Sequence, residues 1–198
     1  MIRLVPDDEL PLLGEAPPVE FANSLYRDGD DWIDFLADAP AAARWFEAAA
    51  HSSAVGAAPQ VRADQVADLR ELRDAVRALL EAALSGTRPD LDSVAAVNRA
   101  AAAAPAFPQL DWPALRTVRV GGGLPGTLAL LASETIALVT GPDARRLRRC
   151  TAPGCAMLYV KHHPRRAWCN PSCGQRVRQA RYYRRQRAAG ASLGSTTR

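Results

Sequence analysis

Cys150, Cys155, Cys169 and Cys173 are the chain's four cysteines, and all fall in its last quarter. Their spacing, Cys-x4-Cys-x13-Cys-x3-Cys, sets two close pairs on either side of a short loop. Such pairs can bring four thiolates to one tetrahedral point, the geometry of a structural zinc ion, with no position left open for a substrate. In a reducing compartment the same thiols favour metal over disulfides. His162 and His163 lie between the pairs. A three-cysteine, one-histidine shell is chemically acceptable, but four cysteines already complete it. The histidines are therefore expected in a loop, facing solvent or phosphate.

The second pair sits where a helix should begin. Asn170 is a good N-cap and Pro171 suits the first helical position, so a helix is expected from Pro171 to about Ala189. Its positive end would favour thiolate over thiol at Cys169 and Cys173. Four thiolates around Zn²⁺ leave a formal charge of about −2. Arg148, Arg149, Arg165, Arg166 and Arg176 are near enough in sequence to offset it. Along the helix, Arg176, Arg178, Arg181, Arg184, Arg185 and Arg187 sweep slightly more than half the circumference. Gln175, Gln179, Tyr182 and Gln186 take much of the rest, and Val177 and Ala180 are its small apolar anchors. A helix with so little to bury is held by a partner or frays. Arginine pairs with phosphate and guanine, glutamine with adenine edges, and tyrosine can stack. Duplex DNA, entered through the major groove, is the expected partner. Its contact set is Arg165, Arg166, Gln175, Arg176, Arg178, Gln179, Arg181, Tyr182, Arg184 and Arg185.

The charge of the chain divides in the same place. Residues 1–143 hold all 21 acidic residues against 11 arginines, a formal −10, whereas residues 144–198 hold 13 arginines and Lys161 with no acid, +14. This asymmetry points to a nucleic acid, a membrane surface or an acidic protein as the partner of the C-terminal part. The basic segment docking on the acidic part of its own chain is the other outcome.

The elements that must position this module read as mainly helical, with one small β-hairpin. Short helices are expected at Pro17–Tyr26 and Asp31–Leu36, another opening at Pro40, and a long amphipathic one from Asp64 to Leu84 that ends at Gly86. Asp90 or Asp92 should cap a helix through the alanine-rich run to Ala104. Residues 107–112 and 115–120 read as two short strands with a glycine-rich exit. Leu124–Val139 reads as a buried helix, too short and too interrupted by Ser133 and Glu134 to span a bilayer. Asp143 can cap one more turn leading to Cys150. The expected division is a mainly α N-terminal domain at 1–143, a four-cysteine zinc module with a basic helix at 144–190, and a disordered tail at 191–198. No secretory signal is visible, so a cytoplasmic, nucleoid-associated protein with no membrane contact is expected.

From Arg145 onward the text RRLRRCTAPGCAMLYVKHHPRRAWCNPSCGQRVRQARYYRRQR resembles the CGNR-type zinc finger. The resemblance rests on the four cysteines, Trp168-Cys169, and Cys173-Gly174-Gln175-Arg176, with Gln175 where the name-giving motif has Asn. Phe21-Ala22-Asn23-Ser24, Asp34-Phe35-Leu36, Trp45 and Leu69-Arg70-x2-Leu72-Arg73 resemble the ABATE domain usually found with that finger. The pairing implies a ligand-sensing domain joined to a nucleic-acid-binding finger in a stress-induced transcription regulator. It also marks Asn23, Arg70, Arg73 and Arg77 as the residues most like the family's polar positions. The three arginines share a helix face and could bind an anionic small molecule, or pair with Glu71, Asp74 and Glu81.

The leading expectation is therefore a zinc-dependent, DNA-binding transcription regulator. A non-catalytic adaptor whose finger binds an acidic protein, and an RNA-binding protein, are the alternatives. A homodimer is compatible with the chain. An enzyme is not expected: no paired carboxylates beside a histidine, no Ser/His/Asp set and no cofactor loop stands out.

Overall fold

The computed structural model describes residues 10, 12–28, 31–52, 58–104, 107–112, 116–120 and 122–193. Helix α1 (Pro17–Asn23) opens it, followed by a hairpin of β1 (Leu25–Asp28) and β2 (Asp31–Asp34) in antiparallel register, Tyr26 opposite Ile33. The sequence reading had both segments helical beyond Asn23. Aromatic and β-branched residues in Tyr26, Trp32 and Ile33 favour strands, and the Gly29-Asp30 pair between them is a hairpin signal. Six residues are also too few for a helix to stand without strong packing.

Helix α2 (Ala39–Ser52) starts with Pro40 in its first turn, and Asp38 accepts the Ala41 N–H at 2.8 Å. Helix α3 (Val66–Ser85) is the central element, ended by Gly86. Its Leu69, Leu72, Val76, Leu79 and Leu80 are buried, as their helical spacing requires. Asp90 caps α4 (Leu91–Ala103), accepting the Ser93 N–H at 2.7 Å. The one expected hairpin is present as β3 (Phe107–Asp111) and β4 (Arg116–Val120), with Leu110 opposite Thr117. Leu115 and Gly121 lie outside the described residues.

Helix α5 (Gly123–Thr140) has 18 residues and, by length and composition alone, is apolar enough to cross a membrane. It is longer than the sequence suggested. Here it packs against α1, α3 and α4 and supplies Leu124, Leu131 and Ala132 to the core. Trp45 and Phe46 enter the same core from α2, meeting edge to face at 5.1 Å.

A short 3-10 helix (Pro142–Arg146) leads into a third hairpin, β5 (Leu147–Arg149) and β6 (Leu158–Val160), and the last helix, α6 (Pro171–Leu193), closes the described chain. This hairpin was not expected. It divides two apolar clusters by the period-two alternation of a strand. Leu147, Leu158 and Val160 join the main core with α1, α3 and α5, while Met157 and Tyr159 face the cysteines together with Tyr26. The expected boundary at residue 143 falls inside the 3-10 helix, and the main core continues past it.

Glu20 on α1 is fully buried. One of its oxygens accepts the Leu13 and Glu15 N–H groups at 2.8 and 2.7 Å. Burial raises its carboxyl above the ordinary range. A carboxyl raised by folding favours the fold below its unfolded pKa, and that contribution is lost as pH rises through the folded value. Glu20→Gln keeps the accepting oxygen and removes the charge. It should raise the melting temperature at pH 7, with the advantage shrinking toward pH 4 in parallel thermal melts.

Candidate metal centre and nucleic-acid interface

The thiol sulfurs of Cys150, Cys155, Cys169 and Cys173 lie within 4.8 Å of one another. Cys155 and Cys169 are 3.7 Å apart, and Cys169 and Cys173 3.5 Å. Four sulfurs each about 2.3 Å from a common tetrahedral centre stand about 3.8 Å apart, so the cluster fits one zinc ion. Cys150, Cys169 and Cys173 are buried and Cys155 is half-buried. The thiols share protons: hydrogen bonding with Cys155 holds Cys150 well below the ordinary thiol range, and the same bond raises Cys155. A bound cation would displace those protons.

Local structure explains the spacing. The first pair ends a turn in which Gly154 takes a left-handed φ of 73°, and the Cys150 N–H donates to the Met157 carbonyl at 2.8 Å. The second pair brackets the start of α6, where Asn170 accepts the Cys173 N–H at 2.9 Å, as its cap role predicts. Gly174 lets Trp168 close over the helix: a Cβ there would stand 3.0 Å from the indole ring. His162 and His163 are exposed and outside the sulfur cluster.

The arginines expected on nucleic acid divide into two groups. Arg176 donates to the Pro153 carbonyl at 2.9 Å and to the Cys173 sulfur at 3.0 Å, clamping the first knuckle to the second and offsetting thiolate charge. Arg166 pairs with Glu15 at 2.6 Å, donates to the Cys169 carbonyl at 2.7 Å and lies over the Tyr159 ring at 4.7 Å. Arg176 is committed to the module itself, and Arg166 to the module and to Glu15 of the N-terminal part. By contrast Arg165, Gln175, Arg178, Gln179, Arg181, Tyr182, Arg184 and Arg185 are exposed, and Tyr182 and Tyr183 are 58% and 64% exposed. Helix α6 continues to Leu193, so the start of the expected tail is helical.

Asn23, Arg70, Arg73 and Arg77 each have partners within the chain. Arg70 and the buried Arg73 both pair with Asp34, at 3.1 and 2.6 Å, and Arg73 also reaches Asp74 at 2.8 Å. Arg77 donates to the carbonyls of Ala22 (3.1 Å), Leu25 (2.9 Å) and Ala156 (3.0 Å). Burial, with Arg149 and Arg73 nearby, holds its guanidinium below the usual arginine range. Asn23 donates to the Leu158 carbonyl at 2.9 Å and accepts the Leu158 N–H at 2.8 Å. Glu15, not singled out from sequence, accepts the Val160 N–H at 2.8 Å. The run Met157-Leu158-Tyr159-Val160 after Pro153-Gly154 was the available signal for a strand buried on both faces.

Residues 15–142 match the ABATE family, described as "putative stress-induced transcription regulator". The chain belongs to the ABATE family. Residues 146–186 match the CGNR zinc finger, whose four cysteines are the cluster described above. Comparison with curated proteins gives no match. The family and the sulfur geometry together make this a zinc-binding regulator with one zinc as its cofactor.

Two measurements test the centre. Cys155→Ser or Cys173→Ser should bring metal content well below the one zinc per chain expected for the parent protein purified without chelator. Gly174→Ala should destabilise the chain by about 1 kcal/mol or more through overpacking, and shift Trp168 fluorescence, because the indole must move to admit the methyl group.

Proposed function

We propose that the chain is a transcription regulator that binds duplex DNA through α6, with the zinc centre fixing that helix at its base. The observation that carries this reading is the run from Arg181 to Arg187. Every residue in it is exposed, and no acidic residue exists anywhere in residues 144–198. Nothing in a core explains such a helix, while a polyanion does.

The geometry suits a major groove. Gln175, Gln179, Tyr182 and Gln186 follow i, i+4, i+7, i+11 spacing and form one exposed stripe, bordered by Arg178 and Arg185 on one side and Arg187 on the other. The stripe is about 16 Å long at 1.5 Å per residue, enough to follow about five base pairs at 3.4 Å each. Glutamine amides address adenine edges, and the bordering arginines reach phosphates on either strand. The exposed Arg165 in the loop before Cys169 adds a contact at the helix base. The protein acts in the cytoplasm on the nucleoid, as monomer or homodimer, and a small-molecule signal received by the N-terminal part alters how the finger is presented.

Fluorescence anisotropy of zinc-loaded protein on duplex DNA tests this directly. About four phosphate contacts should give a log–log salt slope near −3.6. Arg178→Ala or Arg185→Ala should weaken binding to all sequences alike and make the slope shallower by about one unit. Gln179→Ala should instead change which sequence is preferred. Absence of duplex binding at low salt would reject the reading; binding to an acidic protein would then favour the adaptor, and selective binding to single strands an RNA partner.

A further inference from the structure

The edge of β6 that faces away from β5 is completed by side chains of the N-terminal part. On the inner edge, Met157 O and Lys161 N bond to Cys150 and Arg146 at 2.8 Å each. On the outer edge, Ala156 O receives Arg77, Leu158 N and O are both taken by Asn23, and Val160 N is taken by Glu15. The Asn23 amide, offering one donor and one acceptor side by side, does what the backbone of a third strand would do. Glu20 holds the Glu15 backbone N–H at 2.7 Å, so α1 sets both contacts.

These contacts end next to the metal ligands. Ala156, held by Arg77, follows Cys155 directly. Glu15 pairs with Arg166 at 2.6 Å, and Arg166 donates to the Cys169 carbonyl at 2.7 Å. A hairpin of two three-residue strands is marginal by itself, yet it must hold Cys150 and Cys155 at bonding distance from the second pair. We propose that Asn23, Glu15 and Arg77 are positioning residues of the zinc centre, and that the finger holds zinc at full affinity only while α1 and α3 close its sheet edge. Free energy lost from the closed edge must reappear as weaker metal binding, because the ligands then have to be ordered at the expense of binding.

The test is competition for zinc between the full-length protein and a chromogenic chelator, with thermal melts on the same samples. Asn23→Ala and Glu15→Gln should each weaken zinc binding by about tenfold to a hundredfold, the range for residues that orient metal ligands. Asn23→Asp keeps the acceptor for Leu158 N but loses the donor to Leu158 O, and should also weaken it. Val97→Ala, in the core on α4, is the comparison: it should lower the melting temperature and leave zinc affinity unchanged. Parent-like zinc affinity in Asn23→Ala and Glu15→Gln would overturn the proposal. So would a loss in Val97→Ala proportionate to its loss of stability, since edge closure would then be ordinary stabilisation. If Asn23→Ala fails to fold, Asn23→Asp, which keeps the acceptor for Leu158 N and loses only the donor to Leu158 O, decides the matter.

Discussion

A β-strand carried into an interior must find partners for every N–H and C=O along both edges, or lose about 1–3 kcal/mol for each group left unmade. Strand β6 meets that constraint with β5 on one side and with Asn23, Glu15 and Arg77 on the other. The rest of the arrangement depends on it. Because the outer edge is closed by α1 and α3, Leu158 and Val160 can be buried in the main core while Met157 and Tyr159 remain beside the cysteines. Covering an edge with side chains rather than another strand also leaves no template for pairing with a second chain.

The charge asymmetry has a more specific structural expression than the net values suggest. Several acids of the N-terminal part are matched within it, Asp34 by Arg70 and Arg73, and Glu71 by Arg99. Two others reach into the finger: Glu81 pairs with Arg149 and Glu15 with Arg166. The basic segment does therefore dock on the acidic part of its own chain, through Arg149 and Arg166. The arginines of α6 beyond Arg176 are exposed, so the docking that fixes the finger leaves its helix available to an external polyanion. Exposed pairs contribute little to stability; the half-buried Glu15–Arg166 pair also orients a metal-ligand carbonyl.

The metal centre was legible because thiol spacing and helix capping are local: Cys169, Asn170, Pro171 and Cys173 lie within five residues and state both the ligand pair and the helix start. Helices α3 to α5 were legible from apolar periodicity, Gly86 and the Asp90 cap. The β1–β2 hairpin was misread because a six-residue segment with Trp32, Phe35 and Leu36 satisfies helical spacing as well as strand pairing. Hairpin β5–β6 was missed because β5 is only three residues with two exposed arginines, and β6 is buried on both faces, so its sequence is a plain apolar run. Asn23, Arg70, Arg73 and Arg77 stood out in the sequence as candidate ligand contacts, and in the structure each has partners within the chain. Their partners, Leu158 and Ala156 for two of them, lie 135 and 79 residues away. Polar residues answering distant backbone carry no local signature of that role, and they look like ligand contacts from sequence.

Those contacts bear on how a signal could pass between the two family units. A binding site built on Asn23 or Arg77 would have to surrender hydrogen bonds to the finger in order to take up a ligand. Coupling of this kind requires two arrangements with different contacts, and a ligand shifts them only by its difference in affinity for each. The edge of β6 supplies such a difference in kind: closed, it orders Cys155 through Ala156 and Cys169 through Arg166; opened, it leaves buried backbone groups unpartnered and the hairpin marginal. If the closed edge positions the zinc ligands as proposed, zinc binding and edge closure favour each other by the same free energy. The base of α6 is set by Cys173, so whatever alters that balance also alters how firmly the arginine-rich helix is presented.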